Sequence, residues 1–399
     1  MTGNTGTGSA GVPNQEPCDI LMVVEMILPA VIATAGAFGL ALILIPTIRR
    51  LAHRFKWYDL PNKRKIHTGL IPRLGGPGIH LSFVTAALLT PPLVALVSGG
   101  GAGPRYGLRY IPFFLGITLF HVVGLIDDFH NLKALLKFFL QVLAALIITS
   151  GGFLIPSLTI PYLGTLPLGP LAYPVTVFWI VGISNAINLI DGMDGLAGGI
   201  SGFAALSMGI ISLLQGAVLT SVLCFALFGA IVGFLVFNYP PAKIFMGDSG
   251  SLFLGACLAS FPLAGGISKI SAFGTLLVPV TLLTIPILDI ITSVIRRLRK
   301  KVPIIHPDKE HIHHKLLDMG LNQRQILGVF YGFSLYLSVV AITSVILPKE
   351  VNVYLILIVW AGSLLGYGLL YFMNTRKRSA GADAGEDEER SNRSFPGSG

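Results

Sequence analysis

The sequence predicts an all-α polytopic membrane protein, and three observations lead to this fold class. Of the 399 residues, 53% are hydrophobic and 12% are charged, whereas a typical soluble domain has about 25% charged residues. The apolar residues form many runs of roughly 20, the length with which a helix crosses a bilayer. Basic residues are concentrated in alternate connecting segments. No stretch has the composition of a separate soluble domain.

Eleven apolar segments are predicted to be transmembrane helices. The first, 20–48, has no small-residue cleavage site and runs directly into basic sequence, so we expect an anchor rather than a signal peptide. Residues 1–19 and 376–399 are predicted to be disordered tails on a transmembrane domain of 20–375. The other segments are 77–98, 108–126, 134–150, 172–188, 195–215, 217–237, 250–266, 272–295, 326–347 and 352–374.

The distribution of Lys and Arg predicts the orientation of these helices. With the N-terminus outside, 24 of the 28 Lys and Arg residues fall in inside segments and 4 fall outside. The positive-inside rule therefore predicts an outside N-terminus and a cytoplasmic C-terminus. The same rule explains the net charge of +9 without a nucleic-acid partner. The proline-rich outside loop 151–171 is predicted to form a small hairpin or an irregular cap.

A stripe of four polar side chains stands at the end of one predicted span. Asn185, Asn188, Asp191 and Asp194 follow one another at intervals of three residues. Such steps place side chains near one face of a helix or of its end. Polar groups at a membrane rim are costly unless they line an aqueous site. A helix cap, which is the structural alternative, needs only one or two such groups. The stripe therefore predicts a functional site.

Two adjacent carboxylates end another predicted span. Asp127 and Asp128 would repel each other unless a metal ion or a proton lay between them. Asn131, one turn later, can face the same site as either carboxylate. An oxygen-rich site that handles phosphate suits Mg²⁺. Simple solvated carboxylates are the structural alternative.

Two further segments carry charge into predicted inside loops. Segment 59–76 includes Lys65, His67 and Arg73, which can bind lipid headgroups or a substrate phosphate. Segment 238–252 includes Asp248 among small residues that leave room for a ligand. Taken alone, an Asp-Ser pair at a helix start is more typical of an N-cap.

A histidine cluster follows the predicted span 272–295. His311, His313 and His314 can bind zinc, or they can donate hydrogen bonds to a diphosphate at a site already rich in oxygen ligands. Asp289 lies inside that span, and an intramembrane acid is a functional candidate by default. Arg296 is its predicted partner.

All five polar clusters fall in predicted cytoplasmic loops or at the cytoplasmic ends of spans. This layout predicts one active site at the boundary between membrane and cytosol. A transporter of phosphorylated solutes, the alternative from another class, would carry polar groups near the middle of the bilayer. A non-catalytic scaffold would not need a pair of acids.

These ordered motifs resemble those of the polyprenyl-phosphate N-acetylhexosamine-1-phosphate transferases, polytopic enzymes that begin bacterial cell-envelope glycan assembly. The His-x-His-His form looks like the branch that uses UDP-N-acetylglucosamine rather than the sister branch that transfers phospho-MurNAc-pentapeptide. The chain departs from the branch at Asn131, where a third Asp is common. The similarity runs from about residue 25 to 375, and the matching motifs are 61–67, 72–76, 127–128, 185–196, 245–251 and 311–314.

The resemblance implies a reaction and its partners. GlcNAc-1-phosphate is expected to pass from UDP-GlcNAc to undecaprenyl phosphate at the plasma membrane, with release of UMP. UDP-GalNAc and UDP-MurNAc-pentapeptide are the alternative donors. Mg²⁺ is the expected cofactor, with Mn²⁺ as the alternative ion, and the family is compatible with a homodimer.

The resemblance also implies roles for residues. Asp248 is expected to bind the metal, together with Asp127 and Asp191. Asp127 acts as a base or as a covalent nucleophile, two roles that the sequence leaves open. The expected catalytic residues are Asp127, Asp128, Asp191 and Asp194. The expected substrate-binding residues are Lys65, His67, Asn185, Asn188, Asn238, Phe245, His311, His313 and His314, with Asn238 and Phe245 assigned to the uracil.

Overall fold

The computed structural model describes residues 16–58, 71–97, 105–160, 164–264, 274–301, 312–348, 351, 354–366 and 368. Within these ranges the chain is a bundle of α-helices with one short β-hairpin. The helices are α1 (Glu16–Arg54), α2 (Gly75–Val97), α3 (Tyr110–His130), α4 (Ala134–Ser150), α5 (Ala172–Ile190), α6 (Leu196–Leu214), α7 (Val218–Asn238), α8 (Gly247–Ser260), α9 (Gly274–Leu282), α10 (Thr284–Arg299), α11 (Ile312–Asp318), α12 (Gln323–Ile346) and α13 (Tyr354–Gly366).

The predicted class, an all-α polytopic membrane protein, is confirmed. Among the residues that the structure describes, seven helices are long and apolar enough to cross a membrane, namely α1, α2, α3, α5, α6, α7 and α12. An eighth is obtained if α9 and α10, which are bent by 80° at their junction, are taken as one broken span. The predicted number of eleven is not confirmed.

Helix α8 covers only part of the predicted span 250–266. It has 14 residues, and almost all of them are buried, whereas a span needs about 20. It packs against α3, α5 and α2. Its apolar composition therefore reflects burial inside the protein, which apolarity alone does not distinguish from exposure to lipid. Helices α4 and α13 are also apolar but fall below the length of the seven.

The predicted hairpin in the 151–171 loop is present. Strands β1 (Ser157–Ile160) and β2 (Gly164–Pro167) pair antiparallel, with Ser157 opposite Pro167. At the chain ends, α1 begins at Glu16 rather than at residue 20. The rest of the predicted tails, 1–15 and 376–399, lies outside the described residues.

Glycines bring the helices of the bundle close together. A Cβ at Gly229 of α7 would overlap the carbonyl oxygen of Thr34 in α1. A Cβ at Gly124 of α3 would likewise overlap the carbonyl oxygen of Asp248 at the start of α8. Small residues at helix contacts are typical of membrane bundles, because close backbone approach improves packing. The Gly124 contact has a further consequence, since it holds the end of α3 against the start of α8.

Candidate active site

The predicted polar segments meet where α3, α5 and α7 end and where α2, α6 and α8 begin. The loop before α2 runs beside the loop before α8, because the amide of Phe245 donates to the Pro72 carbonyl and the amide of Gly75 donates to the Phe245 carbonyl, both at 2.8 Å. The start of α2 also touches α8 directly, and a Cβ at Gly76 would overlap the amide nitrogen of Gly250. Segments far apart in sequence therefore share one polar centre.

The start of α8 is capped by Asp128 of α3. The amide of Asp248 donates to Oδ1 of Asp128 at 2.8 Å, and the amide of Ser249 donates to Oδ2 at 3.0 Å. Free amides at a helix start are normally satisfied by a cap close in sequence. Here the cap comes from another helix. Gly247 leaves room for it, since its φ is +72° and a Cβ there would lie 2.6 Å from Oδ2 of Asp128.

Asp127 and Asp248 share one cation, the ammonium of Lys137 in α4. The Lys137 Nζ donates to Oδ2 of Asp127 at 2.8 Å and also to Oδ2 of Asp248. The other oxygen of Asp127 accepts from the Leu132 amide at 2.6 Å. This arrangement offsets the repulsion between two carboxylates that lie close together.

Asn131, the residue after the last turn of α3, ends that helix. It adopts the left-handed conformation with φ of +46°, and its amide donates to the Asp127 carbonyl at 2.9 Å. Asn tolerates this conformation better than most residues. Its backbone therefore shapes the turn that follows the acid pair.

The two asparagines of the stripe connect α5 to its neighbours. Asn185 Nδ2 donates to Oε1 of Gln141 in α4 at 2.7 Å. Asn188 Nδ2 donates to Oγ of Ser251 at 2.8 Å, and that hydroxyl donates to the Gly247 carbonyl at 3.1 Å. Both amides thus hold the helices that carry Lys137 and Asp248.

The two acids of the stripe differ in their surroundings. Oδ2 of Asp194 accepts from the amide of Ala242 at 3.0 Å. Asp191 faces the other charges of the centre. Withdrawal from solvent raises the pKa of Asp191 well above its usual range, the charge of Asp248 raises it further, and Arg73 opposes both effects. A positive charge from a ligand or metal would therefore stabilise the ionised form of Asp191.

Asn238 is buried, and backbone groups engage both ends of its amide. Its Oδ1 accepts from the Gly195 amide at 2.8 Å, and its Nδ2 donates to the Ile244 carbonyl at 2.9 Å. These bonds join the loop after α5 to the loop before α8, which favours a positioning role over the predicted contact with uracil. Phe245 belongs to the loop before α8 and is half-buried.

Several predicted residues fall outside the described residues. They are Lys65, His67 and His311, together with the side chain of His313. His314 is half-buried on α11. The predicted intramembrane acid, Asp289, accepts a hydrogen bond from the amide of Ile312 at 3.1 Å.

Three residues of this centre were not among the predicted site residues. Lys137 and Gln141 stand four apart at the start of α4, a spacing that places both on one helix face. A Lys at the rim of an apolar helix is the signal that could have indicated Lys137. An interfacial anchor has the same appearance in the sequence. Ser251, as a buried hydroxyl in an apolar helix, gave no such signal.

The fold and the site together define a polytopic membrane protein with a carboxylate-rich centre at the ends of its helices. The model of glycosyl transferase family 4 matches residues 110–266, which contain most of this centre. A probable undecaprenyl-phosphate N-acetylglucosaminyl 1-phosphate transferase of Bacillus subtilis is 36% identical over 342 residues, covering 85% of this chain and 92% of the relative. The chain belongs to glycosyl transferase family 4, and the family predicted from the motifs is confirmed.

Two other relatives show the range of the family. A decaprenyl-phosphate N-acetylglucosaminephosphotransferase of Mycobacterium leprae is 35% identical over 81% of this chain and 82% of its own. A phospho-N-acetylmuramoyl-pentapeptide-transferase of Synechococcus is 32% identical over 78% of this chain and 89% of its own. Similar chains therefore carry names with different polyprenyl carriers and different sugars.

Proposed function

We propose that this protein transfers GlcNAc-1-phosphate from UDP-GlcNAc to undecaprenyl phosphate and releases UMP. The observation that carries the proposal is the cluster of Asp127, Lys137 and Asp248 at the ends of membrane helices. A lipid-linked phosphate and a water-soluble nucleotide can meet only near the membrane surface. The name of the Bacillus subtilis relative supports both the sugar and the undecaprenyl carrier. The name of the Mycobacterium leprae relative supports the sugar and makes decaprenyl phosphate the alternative carrier.

We place the site on the cytoplasmic side of the plasma membrane, with the N-terminus outside and the C-terminus in the cytosol. The excess of Lys and Arg in the loops that carry the polar segments supports this orientation. Residues 20–375 would form the catalytic domain. The donor would then reach the site from the cytosol and the acceptor from the bilayer.

In the proposed reaction an oxygen of the lipid phosphate attacks the β-phosphorus of UDP-GlcNAc. The new bond joins that oxygen to the β-phosphorus, and the bond to the bridging oxygen of UMP breaks. Both reactants are anions, so positive groups must offset their repulsion. The Lys137 ammonium is one such group. In this direct route Asp127 accepts the proton of the lipid phosphate. In the alternative route the Asp127 carboxylate attacks the β-phosphorus first and UMP leaves. An oxygen of the lipid phosphate then attacks the phosphorus of that covalent intermediate and releases the Asp127 carboxylate.

The oxygen donors of the centre fit Mg²⁺, with Mn²⁺ as the alternative. Asp127 and Asp248 already share one cation, and Asp191 would be stabilised in its ionised form by another. No three His, Cys, Asp or Glu side chains form a metal cluster in the described part of the chain. Mg²⁺ commonly uses one or two protein carboxylates and completes its shell with substrate phosphates and water. When bound, the ion would neutralise charge on the diphosphate.

The remaining residues would order the donor. Asn185 and Asn188 hold α4 and α8 around the diphosphate, and Asn238 with Asp194 holds the two loops that flank it. Phe245 can stack on the uracil. The side chains that would offer positive charge or hydrogen bonds to the diphosphate are those of Lys65, His67, His311, His313 and His314.

The donor sugar is the part of the proposal with a specific competitor. The Synechococcus relative, named a phospho-N-acetylmuramoyl-pentapeptide-transferase, favours UDP-MurNAc-pentapeptide as the second candidate, and UDP-GalNAc is a third.

The transferase activity is tested by the release of UMP by the purified protein, given UDP-GlcNAc and undecaprenyl phosphate with Mg²⁺. Release that requires the lipid phosphate supports the transferase. A transporter would release no UMP.

A further inference from the structure

Asp289 is a buried acid that lies outside the carboxylate centre. It stands in α10, and only 1% of its surface is exposed. Its Oδ1 accepts from the backbone amide of Ile312, the first residue of α11, at 3.1 Å. Burial of a carboxylate is costly unless hydrogen bonds satisfy it. The hydrogen bond from the amide of Ile312 indicates a structural role for this buried carboxylate at the start of α11.

Helix α11 cannot be stable by itself. It has seven residues (Ile312–Asp318), and isolated helices shorter than about 12 residues are marginal even for good helix formers. The first amides of a helix have no partner within it, and a carboxylate at that end both accepts a hydrogen bond and complements the helix dipole. Asp289 supplies this group from another helix.

The remainder of α11 is fixed by packing and by the connection that follows it. Leu316 is buried in the main hydrophobic core. The connection leads directly into α12, which Tyr331 attaches to the loop after α5, since its hydroxyl donates to the Gly195 carbonyl at 2.7 Å. The far end of α11 is thus tied to the active-site loops through α12, and Asp289 holds the near end.

We propose that Asp289 is a positioning residue that holds the start of α11 against the bundle and so fixes the segment that carries His313 and His314. Its effect on the donor rests on the proposed function, in which these histidines bind the diphosphate. A loosened α11 would then weaken donor binding more than it slows turnover of bound donor. The interaction needs a hydrogen-bond acceptor at residue 289, which Asn also provides.

The test compares Asp289→Leu and Asp289→Asn in the full-length protein in lipid nanodiscs. The first readout is hydrogen–deuterium exchange of the peptide that covers 312–318, which needs no turnover. We expect exchange at least about fivefold faster in Asp289→Leu, because a cap is lost, and near-normal exchange in Asp289→Asn. Ile291→Ala, at an exposed position of the same helix, is the matched control and should leave the peptide unchanged.

The second readout is the steady-state kinetics of the same variants. We expect kcat/KM for UDP-GlcNAc to fall about 10- to 100-fold in Asp289→Leu, mostly through KM, with recovery in Asp289→Asn. Unchanged exchange in Asp289→Leu would overturn the proposal. So would an Asp289→Asn protein with normal exchange but no activity, since the charge itself would then be needed. If the unsubstituted protein released no UMP, the proposed function would fail, while the exchange data would still decide the positioning role.

Discussion

Asp128 and Asp248 are joined through the backbone, because Oδ1 of Asp128 accepts a hydrogen bond from the amide of Asp248 at 2.8 Å. The second carboxylate of the acid pair, Asp128, therefore positions α8, the helix that carries the expected metal ligand Asp248. The first carboxylate, Asp127, is linked to Asp248 through the ammonium of Lys137. The adjacent acids of one motif thus have separate tasks.

This division predicts different defects for the two acids. Asp128→Ala removes the cap of α8 and should lower stability by about 1–2 kcal/mol, with loss of activity because Asp248 shifts. Asp127→Ala removes a carboxylate that the proposed reaction uses, so activity should be lost. Thermal unfolding should change less than in Asp128→Ala, because Asp127 accepts one backbone amide and Asp128 accepts two. Thermal unfolding in detergent and UMP release measure the two effects. Equal thermal stability of the two variants would contradict the cap role of Asp128.

Lys137 is predicted to be essential for the reaction. Lys137→Met leaves the carboxylates of Asp127 and Asp248 facing each other without their shared ammonium, so turnover should fall by about 10²- to 10³-fold. Lys133→Met is the matched control, since this exposed Lys stands just before the same helix. It should retain most of its activity. Comparable losses in both variants would mean that the basic character of this region matters rather than the shared ion pair.

Gly247 is predicted to tolerate no side chain. Gly247→Ala must adopt a left-handed conformation at a cost of roughly 1–2 kcal/mol, and its Cβ would lie 2.6 Å from Oδ2 of Asp128. Both effects displace the start of α8, so stability and activity should fall together. Gly182→Ala is the control, because a Cβ there meets no atom within 4 Å. It should unfold at the same temperature as the unsubstituted protein or slightly above it.

Asp248 is predicted to be the principal metal ligand. Asp248→Asn keeps the size of the side chain but removes its charge, so turnover should be nearly abolished, and any residual activity should need more Mg²⁺ for half-saturation. The measurement is UMP release across a Mg²⁺ titration. Near-normal turnover with an unchanged Mg²⁺ dependence would remove Asp248 from the metal site.

Much of the candidate site could be predicted from the sequence, because ordered motifs place acids and amides at the ends of apolar segments. The role of Asp128 could not, since its hydrogen bonds join residues 120 and 121 positions apart. The same holds for Asn238, whose type suggests a ligand contact while both ends of its amide bind backbone. Such roles depend on which helix ends lie together in the fold. The types and spacing of residues within one motif do not predict those contacts.

The helical class was predictable from composition, whereas the predicted number of spans is not confirmed by the helices that the structure describes. Residues of α8 are mostly apolar or small, and they lie inside the bundle. The break between α9 and α10 divides one long apolar run at a bend of 80°. Hydropathy measures the preference for leaving water, and it does not distinguish burial in protein from burial in lipid.

The central claim is tested most directly by following the transfer of radiolabel into lipid. UDP-GlcNAc, UDP-GalNAc and UDP-MurNAc-pentapeptide, each labelled in the sugar, are given in parallel to the purified protein with undecaprenyl phosphate, with and without Mg²⁺. We predict label in the lipid fraction from UDP-GlcNAc alone and only with Mg²⁺. Label from the pentapeptide donor would contradict the assigned sugar, and the absence of label from every donor would contradict the proposed transferase.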